Sequence, residues 1–333
     1  MVKETITNNR QSGLDMFAGI LIIYMIMYHC FQHAELLDSM MYEITHRIFF
    51  FFMSWFYFKA GMFHKVKPEK VMVKTTAKRL LIPFASFTLL AYFICCINYL
   101  LIGDFNIIHY TLSPIKQLLL LEAISWNLPL WFLPSLFIVK NIFNLWSLRY
   151  SSKWLLLLGI VACLTANDTE AYPIWIQNLA AGMFFYSAGY CLKDIKKSKF
   201  LLCICGGLYV LSLVKPNIVD FRTNILSSNS VYCLWLLFSL GSIIFYNRLF
   251  IATPPKKIYI YMLRRNVFTY IGRNSMFFYC SHWIVIMIVK QLVKYSGIVM
   301  NSEIFFILLL LVEAFLLPLF VIIPQGIKIK LKI

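Results

Sequence analysis

The chain is expected to be an all-α polytopic membrane protein with about ten transmembrane helices and both the N-terminus and the C-terminus cytoplasmic. Three observations predict this. Of the 333 residues, 61% are hydrophobic and only 14% are charged, whereas a soluble domain carries about 25% charged residues. Apolar runs close to the ~20 residues that cross a hydrocarbon core recur from end to end. The 31 lysines and arginines are also sorted by side. Only Arg47, Lys116, Lys215, Arg222, Lys290 and Lys294 fall on the outer side and Lys59 lies within a span; the rest sit on or toward the inner side. The formal net charge of +17 is therefore a topology signal, with some attraction for membrane lipid, and no nucleic-acid partner is expected.

The ten spans are read at 14–34, 46–64, 80–102, 129–148, 154–167, 173–192, 200–214, 230–247, 274–294 and 303–324. The interrupted apolar stretch 113–126, "SPIKQLLLLEAISW", reads as an interfacial or re-entrant piece. Outer loops carry acids such as Glu35, Asp38, Glu43, Asp168 and Glu170. The longest basic break is the cytoplasmic segment 248–273. The first run contains Asp15, has no small-residue cleavage site after it and precedes many further spans, so it does not read as a secretory signal. No repeat or separate soluble module is visible, and residues 1–333 read as one transmembrane domain. The nine cysteines lie in or beside apolar runs and read as small buried hydrophobes.

The first span, "SGLDMFAGILIIYMIMYHC", carries two ionisable side chains. At about 100° per residue, Asp15 lies ~40° from His29 on the same helix face, with His29 about 21 Å further out. Ionisable groups inside a membrane mark a functional site or a buried pair by default. The bland alternative is a histidine that hydrogen-bonds a neighbouring helix. His33, one turn after His29, would make a two-histidine metal site, but no third ligand has an evident place and no metal is expected.

"LDMFAGILIIYMIMYH" resembles the first-span motif of the integral-membrane acyltransferases of family three, which modify bacterial surface glycans. That motif has "LD", two residues, a basic residue and a glycine, with a histidine eleven residues after the basic one. Further pieces follow in the family's order: "FFFFMSWFYFKAGMF" (49–63), "KRLLIPF" (78–84), "NLPLWFLPSLF" (127–137) and "YIGRNSMFFYCSHW" (270–283). The resemblance spans nearly the whole chain. It departs at one position, where Ala18 stands in place of the basic residue. Lys59, one turn from the cytoplasmic end of its own span, is expected to supply that charge from a neighbouring helix; a lysine snorkelling to the interface is the alternative.

The resemblance implies an O-acyltransferase of the inner (plasma) membrane. It would move an acyl group, acetyl first of all, from acyl-coenzyme A to a hydroxyl of a surface glycan or lipid-linked sugar. A base must take the hydroxyl proton, and a histidine suits that role. His29 is the candidate, with His282 either orienting it, lining the donor path, or serving only as a core histidine. Asp15 joins this set as the acid at the inner end of the same face, where it pairs with a basic residue or caps the helix. Lys59, Lys78, Arg79 and Arg273 are the candidates for the donor's phosphates, with positive-inside anchoring as the alternative. Trp131, Asn274 and Ser275 are the candidate substrate contacts, the last two or Trp131 also as donors to the developing oxyanion. Transfer is either direct or through an acylated residue. The aromatic run Phe49–Phe52 with Trp55, Phe56, Tyr57 and Phe58 is expected to face lipid or other helices. The rival class is a transporter or flippase for a lipid-linked glycan; besides Asp15 and Glu313, acids within spans are too few for an obvious proton relay. A non-catalytic scaffold leaves His29 unexplained.

Overall fold

The computed structural model describes residues 12–103, 106–165, 174–193, 199–214, 221, 229–252 and 266–330. Asp168, Glu170, Lys215, Arg222 and the stretch 253–265 of the segment 248–273 lie outside the described residues. Helices make up the fold, and no strand is present among the described residues. They are α1 (Ser12–His33), α2 (Met40–Phe49), α3 (Phe52–Met62), α4 (Glu69–Thr76), α5 (Ile82–Ile102), α6 (Ile107–Leu121) and α7 (Phe132–Ser147). There follow α8 (Ser152–Thr165), α9 (Ile174–Leu192), α10 (Lys199–Val214), α11 (Asn229–Ala252), α12 (Val267–Arg273), α13 (Ser275–Ser296) and α14 (Ser302–Lys330).

Among the described residues, six helical stretches are long and apolar enough to cross a membrane: Ser12–His33, Glu69–Ile102, Tyr110–Ser147, Val231–Ile251, Ser275–Ser296 and Ser302–Leu319. Ser152–Leu164 and Lys199–Val214 are apolar but shorter. Large hydrophobic side chains face outward along α5, among them Phe93 at 61% exposure and Leu101 at 73%. A soluble protein would hide such a surface, and lipid covers it at no cost.

Where the helices depart from the expected spans, local chemistry accounts for it. The stretch 46–64 is two helices, because Phe50 and Phe51 turn inward between α2 and α3 and bury in the core at 7% and 0% exposure. The third span begins earlier than 80, since α4 runs into α5 through a π-helical turn, Ala77–Leu81. Pro83 has no N–H to donate just beyond it, and a widened turn absorbs that missing bond. The interrupted stretch 113–126 becomes α6, which ends at Glu122 in the left-handed region (φ 58°, ψ 4°). A 3₁₀ helix, Ser125–Trp131, then leads directly into α7. The exposed stripe Ile108, Leu112, Ile115 and Leu119 on α6 fits the interfacial reading of that piece.

Two packing contacts position the site. Phe17 of α1 lies between Tyr246 and Phe250 of α11, with ring centroids 5.0 and 4.7 Å away, and takes the edge of Trp55 from α3 at 5.1 Å. Trp55 Nε1 in turn donates to Asn247 Oδ1 at 2.7 Å. On the other side, α12 presses into α1 through glycines. A Cβ on Gly272 would come within 1.7 Å of the Asp15 carbonyl oxygen, and one on Gly19 within 1.8 Å of the Phe268 carbonyl oxygen. Only glycine permits two helix backbones so close. The residue after Gly272 is Arg273, so this approach sets a guanidinium beside the acid of the first span. The aromatic run of α3 packs against helices, with Trp55 and Tyr57 both at 0% exposure.

Candidate active site

The inner end of α1 holds an ion cluster. Asp15 is buried, 5% exposed. Its Oδ1 lies 3.7 Å from Lys59 Nζ and its Oδ2 lies 3.7 Å from Arg273 Nε. Lys59 also donates to the Leu14 carbonyl at 3.4 Å and sits 5.0 Å over the ring of Trp55. A basic side chain at position 18 would stand one turn from Asp15 on the same face. Ala18 is buried at 1% exposure, and the charge arrives across the helix interface from Lys59. Lys59 is thus held by the acid and does not snorkel away from it.

The outer end of α1 holds a histidine pair. The His29 and His282 rings stack with centroids 5.2 Å apart and planes 27° apart. Trp283 meets His29 edge-on at 4.9 Å and His33 at 4.6 Å. His29 Nδ1 lies 3.2 Å from Gln32 Oε1, and His282 Nδ1 lies 2.7 Å from the Tyr279 carbonyl. The Tyr279 carbonyl only accepts, so His282 Nδ1 carries the proton and its Nε2 is the basic nitrogen, while the Gln32 amide holds the Nδ1 edge of His29. The two rings differ in access. His282 is fully buried and its Nε2 has no hydrogen-bond partner among the described residues, while His29 is half-buried.

Between the two ends lies a cavity of about 160 Å³. Ile22 of α1, Met53 and Phe56 of α3, Leu136 of α7, and Ser275 and Tyr279 of α13 line it. Ile22 is seven residues from Asp15 and seven from His29, about 10.5 Å along the axis each way. On α13, Ser275 follows closely on Arg273, and Tyr279 precedes His282 by one turn. Ion cluster, cavity and histidine pair therefore follow one another along the seam of α1 and α13.

The 3₁₀ helix clamps the outer part of that seam. Asn127 Nδ2 donates to the Cys280 carbonyl at 2.9 Å, Trp283 Nε1 donates to the Ser125 carbonyl at 3.1 Å, and the Tyr279 hydroxyl donates to the Pro129 carbonyl. Asn127 adopts φ −152°, ψ 61°, outside helical geometry, which turns its amide toward α13.

The remaining candidates are dispersed. Trp131 is buried at 6% exposure beside Phe132 and Phe221, so it is no interfacial anchor. Asn274 joins α12 to α13, and its Nδ2 donates to the Tyr270 carbonyl at 2.9 Å. Lys78 and Arg79 stand exposed on the π turn, apart from the Asp15 ion pairs with Lys59 and Arg273. Gln32, Trp283, Tyr279 and Asn127 were not among the sequence-derived candidates. Gln32 is one turn from His29, a spacing readable in advance; the other three owe their place to tertiary packing.

The family model described as "Acyltransferase domain" matches residues 11–323, nearly the whole chain. The chain belongs to acyltransferase family three and is a membrane acyltransferase. No curated protein and no solved structure matches it. The transporter reading finds no support in these comparisons.

Proposed function

We propose that the protein moves an acyl group, acetyl in the first instance, from acyl-coenzyme A to a hydroxyl of a cell-surface or exported glycan, from a multi-pass position in the bacterial inner membrane. The observation that carries this reading is the order along α1 and α13: cations and Asp15 at one end, a cavity in the middle, and a half-buried histidine at the other. Ten crossings, made by α1, α2 together with α3, α5, α7 to α11, α13 and α14, put both termini and the ion cluster on the cytoplasmic side, where acyl-coenzyme A is made. The outer end then receives the acceptor.

In this scheme Lys59, Lys78, Arg79 and Arg273 draw the donor's phosphates to the inner face, and Asp15 holds Lys59 and Arg273 in place. The acceptor hydroxyl gives its proton to His29 Nε2 as its oxygen bonds to the thioester carbon. The carbon–sulfur bond breaks, and the proton passes from His29 to the departing thiolate. His282 fixes the ring of His29 and is a positioning residue, because its complete burial keeps it from the acceptor. Ser275, whose side chain lines the cavity, meets the donor there. Trp131 and Asn274 shape the substrate path. Direct transfer is favoured, since Cys30, Cys280 and Ser281, the thiols and the serine hydroxyl nearest the pair in sequence, are all at 0% exposure.

The test is mass spectrometry of the surface glycan in cells lacking the protein, complemented with wild type or His29→Ala at matched expression. An acyl mass restored by wild type and not by the variant supports the reading. An acyl pattern that never depends on the protein overturns it.

A further inference from the structure

The cavity is larger than an acetyl group requires. Protein interiors hold few voids wider than a water molecule, and an apolar cavity of roughly 150 Å³ is enough to take benzene, a six-carbon ligand. This one measures about 160 Å³. Its walls are aliphatic, aromatic and thioether side chains, and its two polar side chains are Ser275 and Tyr279. The Tyr279 hydroxyl already donates to the Pro129 carbonyl.

Resting on the acyltransferase reading, we propose that this cavity is an acyl-chain pocket and that the enzyme accepts straight-chain donors of about four to six carbons as well as acetyl. The donor has two parts that could enter. Its pantetheine arm carries two amides, and amides buried without partners are strongly disfavoured; the walls provide one uncommitted hydroxyl for them. Its acyl chain has no polar atom beyond the carbonyl and matches the walls. The position fits as well. Helical side chains lean toward the N-terminus, so the His29 ring tips toward Ile22, and on α13 one turn separates Tyr279 from His282. A carbonyl held at His29 can therefore lower its chain into the space between Ile22, Met53 and Leu136. The chemistry is the same for every chain length: one carbon–oxygen bond forms, one carbon–sulfur bond breaks, and one proton passes through His29 to the thiolate.

The experiment uses membranes that hold the full-length protein and their own glycan, supplied with an equimolar mixture of acetyl-, butyryl- and hexanoyl-coenzyme A. Esters released by mild alkali are quantified by mass spectrometry against membranes without the protein. Wild type is expected to transfer all three. Leu136→Phe, which fills the pocket, should lower the hexanoyl-to-acetyl ratio on the order of tenfold to a hundredfold. Met53→Ala, which opens it without crowding the fold, should raise that ratio. Transfer of acetyl alone by wild type, or parallel changes for all donors in both variants, would overturn the pocket and leave the enzyme reading standing. No transfer from any donor would overturn the reading, and the pocket with it.

Discussion

His29 and His282 stack at 5.2 Å with 27° between their planes, although 253 positions of sequence separate them. Each ring has its Nδ1 edge engaged, by the Gln32 amide for one and the Tyr279 carbonyl for the other. The exposed member of such a pair is poised to take a proton, and the buried member to hold it in register. His282→Asn should therefore lower kcat by about 10- to 100-fold with the donor KM little changed, because a 1 Å misplacement of a catalytic group can cost that much. Steady-state kinetics over a range of donor concentrations separates the two parameters. A rise in KM with kcat intact would instead place His282 in the donor path.

The ion cluster predicts a rescue. Lys59→Met removes one of the cations on a buried carboxylate and should lower both activity and thermal stability, the latter by about 1–3 kcal/mol given that Arg273 remains. Adding Ala18→Arg to that variant returns a charge to the same acid from within α1. Activity that recovers in the double variant supports the exchange of position 18 for Lys59; failure of every such pairing to recover it contradicts the exchange.

Gly272→Ala should be among the most damaging small substitutions in the chain. Its new methyl would meet the Asp15 carbonyl at 1.7 Å, backbone against backbone, with nothing flexible to yield. Overpacking of this kind costs about 1–3 kcal/mol and sometimes more. Thermal unfolding in detergent measures it, and Arg273 should lose its hold on Asp15 at the same time.

Asn127→Ala should loosen the clamp between the 3₁₀ helix and α13. The amide donates to the Cys280 carbonyl from a fully buried position, and a hydrogen bond of this kind contributes about 0.5–1.5 kcal/mol. A drop in stability together with a fall in activity is expected, because Trp283, which borders His29, is tied to the same segment through Ser125.

Much of this was legible in the residues. The first, ninth and tenth apolar runs became helices within a few positions of their expected bounds, because length and apolarity alone decide a membrane span. Asp15 and His29 share a helix face by simple periodicity, and the missing base at Ala18 pointed to Lys59. What periodicity could not supply was the partner across an interface. That His282 stacks on His29, or that Asn127 hydrogen-bonds the histidine-bearing helix, depends on how α13 and the 3₁₀ helix cross. Nor did the composition of 46–64 reveal its break, and 113–126 read as interrupted without showing where its helix ends. Phe50 and Phe51 turn inward for packing reasons, and the left-handed turn at Glu122 has no glycine to announce it.

The measurement that tests the account most directly is label transfer from acetyl-coenzyme A to glycan, in membranes carrying the full-length protein as wild type or as His29→Ala at equal abundance. Loss of the general base should slow transfer by about 10²- to 10⁴-fold while donor binding persists. A His29→Ala protein that transfers at the wild-type rate would contradict the account at its centre.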